Sequence, residues 1–165
     1  FDVSHMGKLA ITGDGAADWL NTVVASDLTT IADGKAQYSM LLNANGGVID
    51  DLIVYKFGPS SLWIVPNASN AAAVFERLSA LTPNAMQVTN HHDEYGIVAI
   101  QGPSSPEVLK ALGLEVPTEY MSAAWTQWNE HSVLLCRSGY TGETGFELIA
   151  PNAALANLWQ SVLTL

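Results

Sequence analysis

Two carboxylates stand side by side in an otherwise apolar run. They are Asp50 and Asp51, within AQYSMLLNANGGVIDDLIVYK at 36–56. Adjacent residues on a strand point to opposite faces, so a regular strand cannot bring both into one space. That excludes glycosidase or two-metal chemistry, in which the carboxylates converge. A buried, ionised carboxylate needs partners or a changed protonation state. Two arrangements satisfy this. Either one Asp meets structural donors while the other faces a ligand, or both are solvated at a strand end. The pattern leaves the two residues equivalent.

The second candidate is SGYTGETGFE, 138–147. Glycines at 139, 142 and 145 let the backbone turn sharply or approach another group closely. The spacing is not GxGxxG, and no GK[ST] follows, which argues against a phosphate loop. Glu147 lies just inside the strand after this loop. A carboxylate there can accept two parallel N–H bonds from a planar, guanidine-like heterocycle edge, or it is an exposed strand-end residue. His5, His91, His92 and His131 lack HxH or HExxH spacing, so a zinc site is not expected. No serine sits in a G-x-S-x-G elbow. Cys136, in SVLLCR, reads as a small buried apolar residue, and one cysteine fits a reducing compartment.

These residues need elements to hold them. Residues 36–42 and 48–56 read as a hairpin, with turn chemistry at Asn43–Gly47. Both faces of the return strand are mostly apolar, which predicts cover on both sides. Strands are further expected at 8–12, 61–65, 86–90, 95–101, 124–128, 132–137 and 146–150. Helices are expected after Asp14 as N-cap and ending near Ser26, after Asn67 or Ser69, after Ser105 with Pro106, and after Asn152. Trp125 and Trp128 are expected to pack, and His91-His92 to lie in a solvated loop. Strands and helices without regular βαβ alternation give an α+β fold with antiparallel sheets. A soft boundary near Gly102-Pro103 separates domains at 1–102 and 103–165.

Composition narrows the function classes. Of 165 residues, 48% are hydrophobic and 13% charged, against roughly a quarter charged in ordinary domains. A net charge of −10 with six Lys plus Arg leaves no basic cluster for nucleic acid or an anionic membrane surface. No run reaches the ~18 apolar residues of a membrane span. The chain opens on FDVSHMG and closes within a helical pattern, which reads as a piece of a longer protein.

Taken together, FDVSHMG (1–7), YSMLLNANGGVIDDLIVYK (38–56), NASN (67–70), AIQGP (99–103) and GYTGETGFE (139–147) resemble the aminomethyltransferase family, the T-protein of the glycine cleavage system. The resemblance spans essentially the whole chain. It implies an incomplete folate-binding fold whose C-terminal domain lies outside this sequence. It implies tetrahydrofolate as cofactor and the lipoyl-carrying H-protein as partner. The implied reaction moves an aminomethyl group from the lipoyl arm, giving 5,10-methylenetetrahydrofolate and ammonia. By residue, it implies that Asp51 is the catalytic group and that Asn67 and Glu147 hydrogen-bond the pterin. Tyr38 and Tyr140 match aromatic positions near the ligand, and Met6 matches a pterin contact. Thr144 departs from the Asp common there, and Pro66 and Ala71–Ala73 differ from the usual residues around the Asn motif. A bacterial cytoplasmic or mitochondrial matrix location follows from the family.

Two alternatives share the fold. One is the folate domain of a dimethylglycine or sarcosine dehydrogenase. The other is a non-catalytic folate-binding relative, against which the absence of a cysteine in SGYTGETGFE argues.

Overall fold

The computed structural model describes residues 1–165. The chain forms two compact units, His5–Asp93 and Phe1–Ser4 with Glu94–Leu165. The division falls before strand 95–101 rather than near 102. That strand bonds along its whole length to 145–151, which holds it with the C-terminal half.

The unit formed by His5–Asp93 contains a five-stranded antiparallel sheet. Its strands are β1 (Leu9–Gly13), β2 (Lys35–Leu42), β3 (Val48–Gly58), β4 (Ser61–Pro66) and β5 (Met86–Asn90). Their order is β2-β3-β4-β1-β5. Helices α1 (Ala16–Asn21) and α2 (Ala71–Leu81) complete the unit. Ile11, Leu20, Leu41, Val54, Ile64, Val74 and Leu78 form part of one continuous buried core. On β3 the stretch Leu52–Tyr55 is buried at every residue, so both faces are covered as its composition predicts.

The β2–β3 register pairs Tyr38 with Ile53, Met40 with Asp51 and Leu41 with Asp50. The Asn43 side chain fixes the turn by accepting from the amides of Asn45 and Gly47 at 2.9 and 3.0 Å. Gly46, at φ 81°, takes the left-handed position. Along β2, Ser39 and Leu41 are buried while Tyr38 and Met40 are exposed, the period of two expected of a half-covered strand.

The other unit carries the four-stranded antiparallel sheet β6-β9-β8-β7. These strands are β6 (Tyr95–Gln101), β7 (Ala123–Trp128), β8 (His131–Cys136) and β9 (Gly145–Pro151), with helices α3 (Ser105–Ala111) and α4 (Asn152–Leu163). The N-terminal residues join this sheet through a bridge from Asp2 to Val98. Phe146, Leu148, Val133, Leu135, Leu109 and Leu158 belong to its core. Cys136, the one cysteine of the chain, is fully buried within β8, as its apolar surroundings in the sequence suggest.

The expected strands are present, with ends shifted by a residue or two; the expected caps differ. Helix α1 begins after Gly15 in a left-handed conformation, not after a bonded Asp14, and it ends at Asn21 rather than near Ser26. Asn67 precedes a short 3-10 turn at Ala68–Asn70, and no side chain caps that turn or α2. Ser104, not Ser105, precedes α3, and Pro151 precedes α4 without a side-chain cap. Trp125 and Trp128 are an odd number of residues apart, so on a strand they face opposite ways. Trp128 is buried, whereas Trp125 is 38% exposed and only partly covered. His91 departs from the solvated-loop reading: its ring stacks on Trp63 at 5.3 Å, nearly parallel at 5°.

Candidate functional site

Alternation on β3 separates the two aspartates. Asp50 is 1% exposed, whereas Asp51 faces solvent. The Asp50 carboxylate accepts three hydrogen bonds: from the Asn67 amide N–H at 2.9 Å, from Asn67 Nδ2 at 3.1 Å and from Asn70 Nδ2 at 2.7 Å. This answers the burial problem posed by the sequence, since donors replace the water lost.

Asp51 is held differently. It accepts a short hydrogen bond from the Tyr38 hydroxyl, which lies diagonally across the hairpin. Asn67 Nδ2 approaches its side chain at 3.2 Å and donates to its backbone carbonyl at 2.8 Å. Asn67 therefore connects both aspartates. Sequence reading took it for a helix cap or a ligand contact and missed this link. Its partners lie 16 and 17 residues away, beyond the range of cap or turn signals. Met6 is half-buried in the same unit, and its carbonyl accepts from Lys8 Nζ at 2.9 Å. Met6, Tyr38, Asp51 and Asn67 thus belong to one unit, with Tyr38, Asp51 and Asn67 in direct contact.

The remaining candidates belong to the other unit. Glu147 lies on β9, flanked in register by Ala99 on β6 and Cys136 on β8. The Ser138 hydroxyl donates to its carboxylate in a short hydrogen bond. Burial pushes the Glu147 pKa above its ordinary range, against the opposing pull of the Ser138 hydroxyl. Tyr140 projects from the loop and is 73% exposed. A cavity of about 300 Å³ is bounded by Phe1, Val3, Ala99, Gln101, Tyr140 and Glu147, among others. The surface it exposes is largely apolar, although Asp2, Gln101, Thr141 and Glu147 are among the residues that line it. A separate cavity of about 350 Å³, lined by Tyr120, Arg137, Ser138, Gly139 and Gly142–Gly145, holds none of the candidate residues.

Two features of the loop were not foreseen. Of its three glycines, only Gly142 has a positive φ, 76°. Gly139 and Gly145 instead face the Gln101 side chain, with which a Cβ at either position would collide. Gln101 lies in the AIQGP motif, but as the last residue of a strand it carries no local signal of this contact. Its Nε2 donates to the carbonyls of Ser138 and Phe146 at 3.1 and 3.2 Å.

Comparison with known proteins identifies a family. The family model described as GCVT N-terminal domain matches residues 1–165. The chain belongs to that family. The aminomethyltransferase of Parafrankia sp. (strain EAN1pec) is 46% identical over 164 residues, covering 99% of this chain and 45% of that protein. The aminomethyltransferase of Mycobacterium avium (strain 104) is 47% identical over 151 residues, covering 92% and 41%. Among solved structures, glycine cleavage system aminomethyltransferase T from Bartonella henselae matches with a TM-score of 0.90 at 33% identity, covering 99% of this chain and 44% of that one. Heterotetrameric sarcosine oxidase from Corynebacterium sp. U-96 matches at a TM-score of 0.70 and 16% identity, a likeness of fold. The chain thus spans under half the length of these aminomethyltransferases. No helix of this GCVT-family chain is long and apolar enough to cross a membrane.

Proposed function

We propose that this GCVT-family chain takes part in tetrahydrofolate-dependent aminomethyl transfer. The donor is an aminomethyl group on the lipoyl arm of an H-protein. The products are 5,10-methylenetetrahydrofolate, ammonia and the dihydrolipoyl arm. The observation that carries this reading is the division of labour in the acid pair. Asp50 is consumed by three structural hydrogen bonds, whereas Asp51 is exposed and oriented by Tyr38 and Asn67.

The residues suit a folate. The pterin ring is flat, with an edge of adjacent N–H donors. Glu147 is a carboxylate set among apolar walls, in a cavity of about 300 Å³, near the lower end of the roughly 300–1,000 Å³ typical of small-molecule sites. Donors on the ligand would supply the hydrogen bonds that burial withholds from it. Tyr140 would add an aromatic surface. Within the unit His5–Asp93, the resemblance assigns Asn67, Met6 and Tyr38 to ligand contact, and Tyr38 also orients Asp51.

When bound, tetrahydrofolate supplies the nitrogen nucleophiles that take the one-carbon unit. Asp51 would hold or release the proton at the reacting nitrogen while the C–N bond to the leaving ammonia breaks. Its orientation by two neighbours favours near-attack geometry over a freely rotating carboxylate.

The test pairs two variants. Asp51→Asn is expected to reduce aminomethyl transfer severely while tetrahydrofolate still binds. Glu147→Ala is expected to weaken tetrahydrofolate binding first, measured by calorimetry. Near-normal turnover in the first variant overturns the role of Asp51. Unchanged affinity in the second removes Glu147 from the pterin.

A further inference from the structure

We infer that Gln101 is a positioning residue that pins the glycine-rich loop and thereby aims Glu147 and Tyr140. Its functional meaning rests on the folate reading above, but the pin itself can be tested without folate.

Gln101 Nε2 has two N–H donors, and both are used, on the carbonyls of Ser138 and Phe146. Its Oε1 accepts from Thr141 Oγ1 at 3.3 Å. One side chain therefore ties the entrance of the loop, its tip and its exit strand. Partners 37 to 45 residues away in sequence are brought together by a single amide. The ring of contacts closes only because Gly139 and Gly145 have no Cβ. Neither has a positive φ, so neither is needed for a turn. What a Cβ would strike is the Gln101 amide in both cases.

The consequence for chemistry runs through Ser138. Gln101 holds the Ser138 carbonyl, and the Ser138 hydroxyl donates to the Glu147 carboxylate. Freeing the loop withdraws that donor from a half-buried acid. Tyr140 lies between Ser138 and Thr141, both anchored by Gln101, so its direction loosens as well.

The experiment uses Gln101→Ala and Gly139→Ala, singly and together, with Ser138→Ala as reference. The first readout is the titration of the Glu147 carboxyl by carbon-detected NMR. Gln101→Ala is expected to move the Glu147 midpoint upward, in the direction given by Ser138→Ala. Gly139→Ala is expected to do the same, because its methyl displaces the Gln101 amide. The double variant is expected to shift no further than the larger single one, since one element is lost twice. A merely stabilising glutamine would lower the melting temperature and leave the Glu147 midpoint in place, and that result overturns the inference. Should Gln101→Ala fail to fold, Gly139→Ala carries the same test, and a wild-type Glu147 titration there overturns it equally. The second readout is tetrahydrofolate affinity, expected to fall about fivefold or more on loss of one well-placed hydrogen bond. A moved midpoint with unchanged affinity upholds the pin and overturns the assignment of Glu147 to the pterin.

Discussion

Replacing each aspartate of the pair in turn should separate stability from activity. In Asp50→Ala, a carboxylate that is 1% exposed disappears, and three donors lose their acceptor: the Asn67 amide, Asn67 Nδ2 and Asn70 Nδ2. A hydrogen bond to a charged group contributes about 1.5–3 kcal/mol, and a buried donor left unsatisfied costs about 1–3 kcal/mol. The donors are not equally stranded. Asn67 Nδ2 keeps Asp51 as an alternative acceptor, and Asn70 borders an exposed turn. Only the Asn67 amide, fixed by the backbone, is left without recourse. The loss expected is therefore about 3–4 kcal/mol, not the sum of three full bonds. In a chain of this size each kcal/mol lowers the melting temperature by about 2–4 °C, so a fall of roughly 6–16 °C is expected. Asp51→Asn keeps an oxygen for the Tyr38 hydroxyl on a solvent-facing side chain, and should melt close to wild type. Urea titrations and thermal scans on both variants read the two effects. The reasoning is refuted if Asp50→Ala stays within about 1 kcal/mol of wild type, or if Asp51→Asn destabilises more than Asp50→Ala.

Two further outcomes follow from the titrating groups. Burial raises the Glu147 pKa in the folded chain above its ordinary value near 4.5, so the folded state binds the proton more tightly than the unfolded one. This contribution to stability is fully present below about pH 4.5 and is lost as pH rises through the folded pKa. Glu147→Gln should therefore flatten the stability–pH curve over that interval, and an unchanged slope in denaturant titrations counts against the burial argument. Asp27 accepts from both the hydroxyl and the amide of Thr29, and these bonds hold its carboxyl below the usual aspartate range. Thr29→Val removes the hydroxyl and should raise the Asp27 midpoint by NMR titration, and an unmoved midpoint refutes that cause.

The fold was legible where its signals are local. Alternation along VIDDLIVYK, the Asn-Gly turn chemistry and the apolar runs of β4, β6, β8 and β9 gave the strands and their antiparallel class. The opposed directions of Asp50 and Asp51 also follow from strand geometry alone. Caps were less legible, because Asp, Ser and Asn mark loops as readily as helix starts. Asp14, Ser69 and Asn152 have the right residue type, but the N-cap positions are held by Gly15, Asn67 or Asn70, and Pro151 instead. The unit boundary was misplaced for a related reason. Gly102-Pro103 is a conspicuous local break, but the division follows the pairing of β6 with β9, a long-range fact.

Asn67 and Gln101 show where sequence reasoning stops. Each is an amide that satisfies several groups at once, and each draws its partners from 16 or more residues away. No periodicity encodes that. A trace of the second case does survive in the sequence. A loop needs glycine for turning only where φ is positive, and one such glycine serves SGYTGETG. The two left over at 139 and 145 require something to press against the backbone there. In the structure, the Gln101 side chain of the protein's own β6 occupies that space. The glycines therefore report indirectly on the site. They allow Gln101 to fix the loop, and the loop in turn sets the donor that Ser138 offers to Glu147. On this argument the glycines at 139 and 145 and the glutamine at 101 form one constraint, and changing any of the three perturbs the same carboxylate.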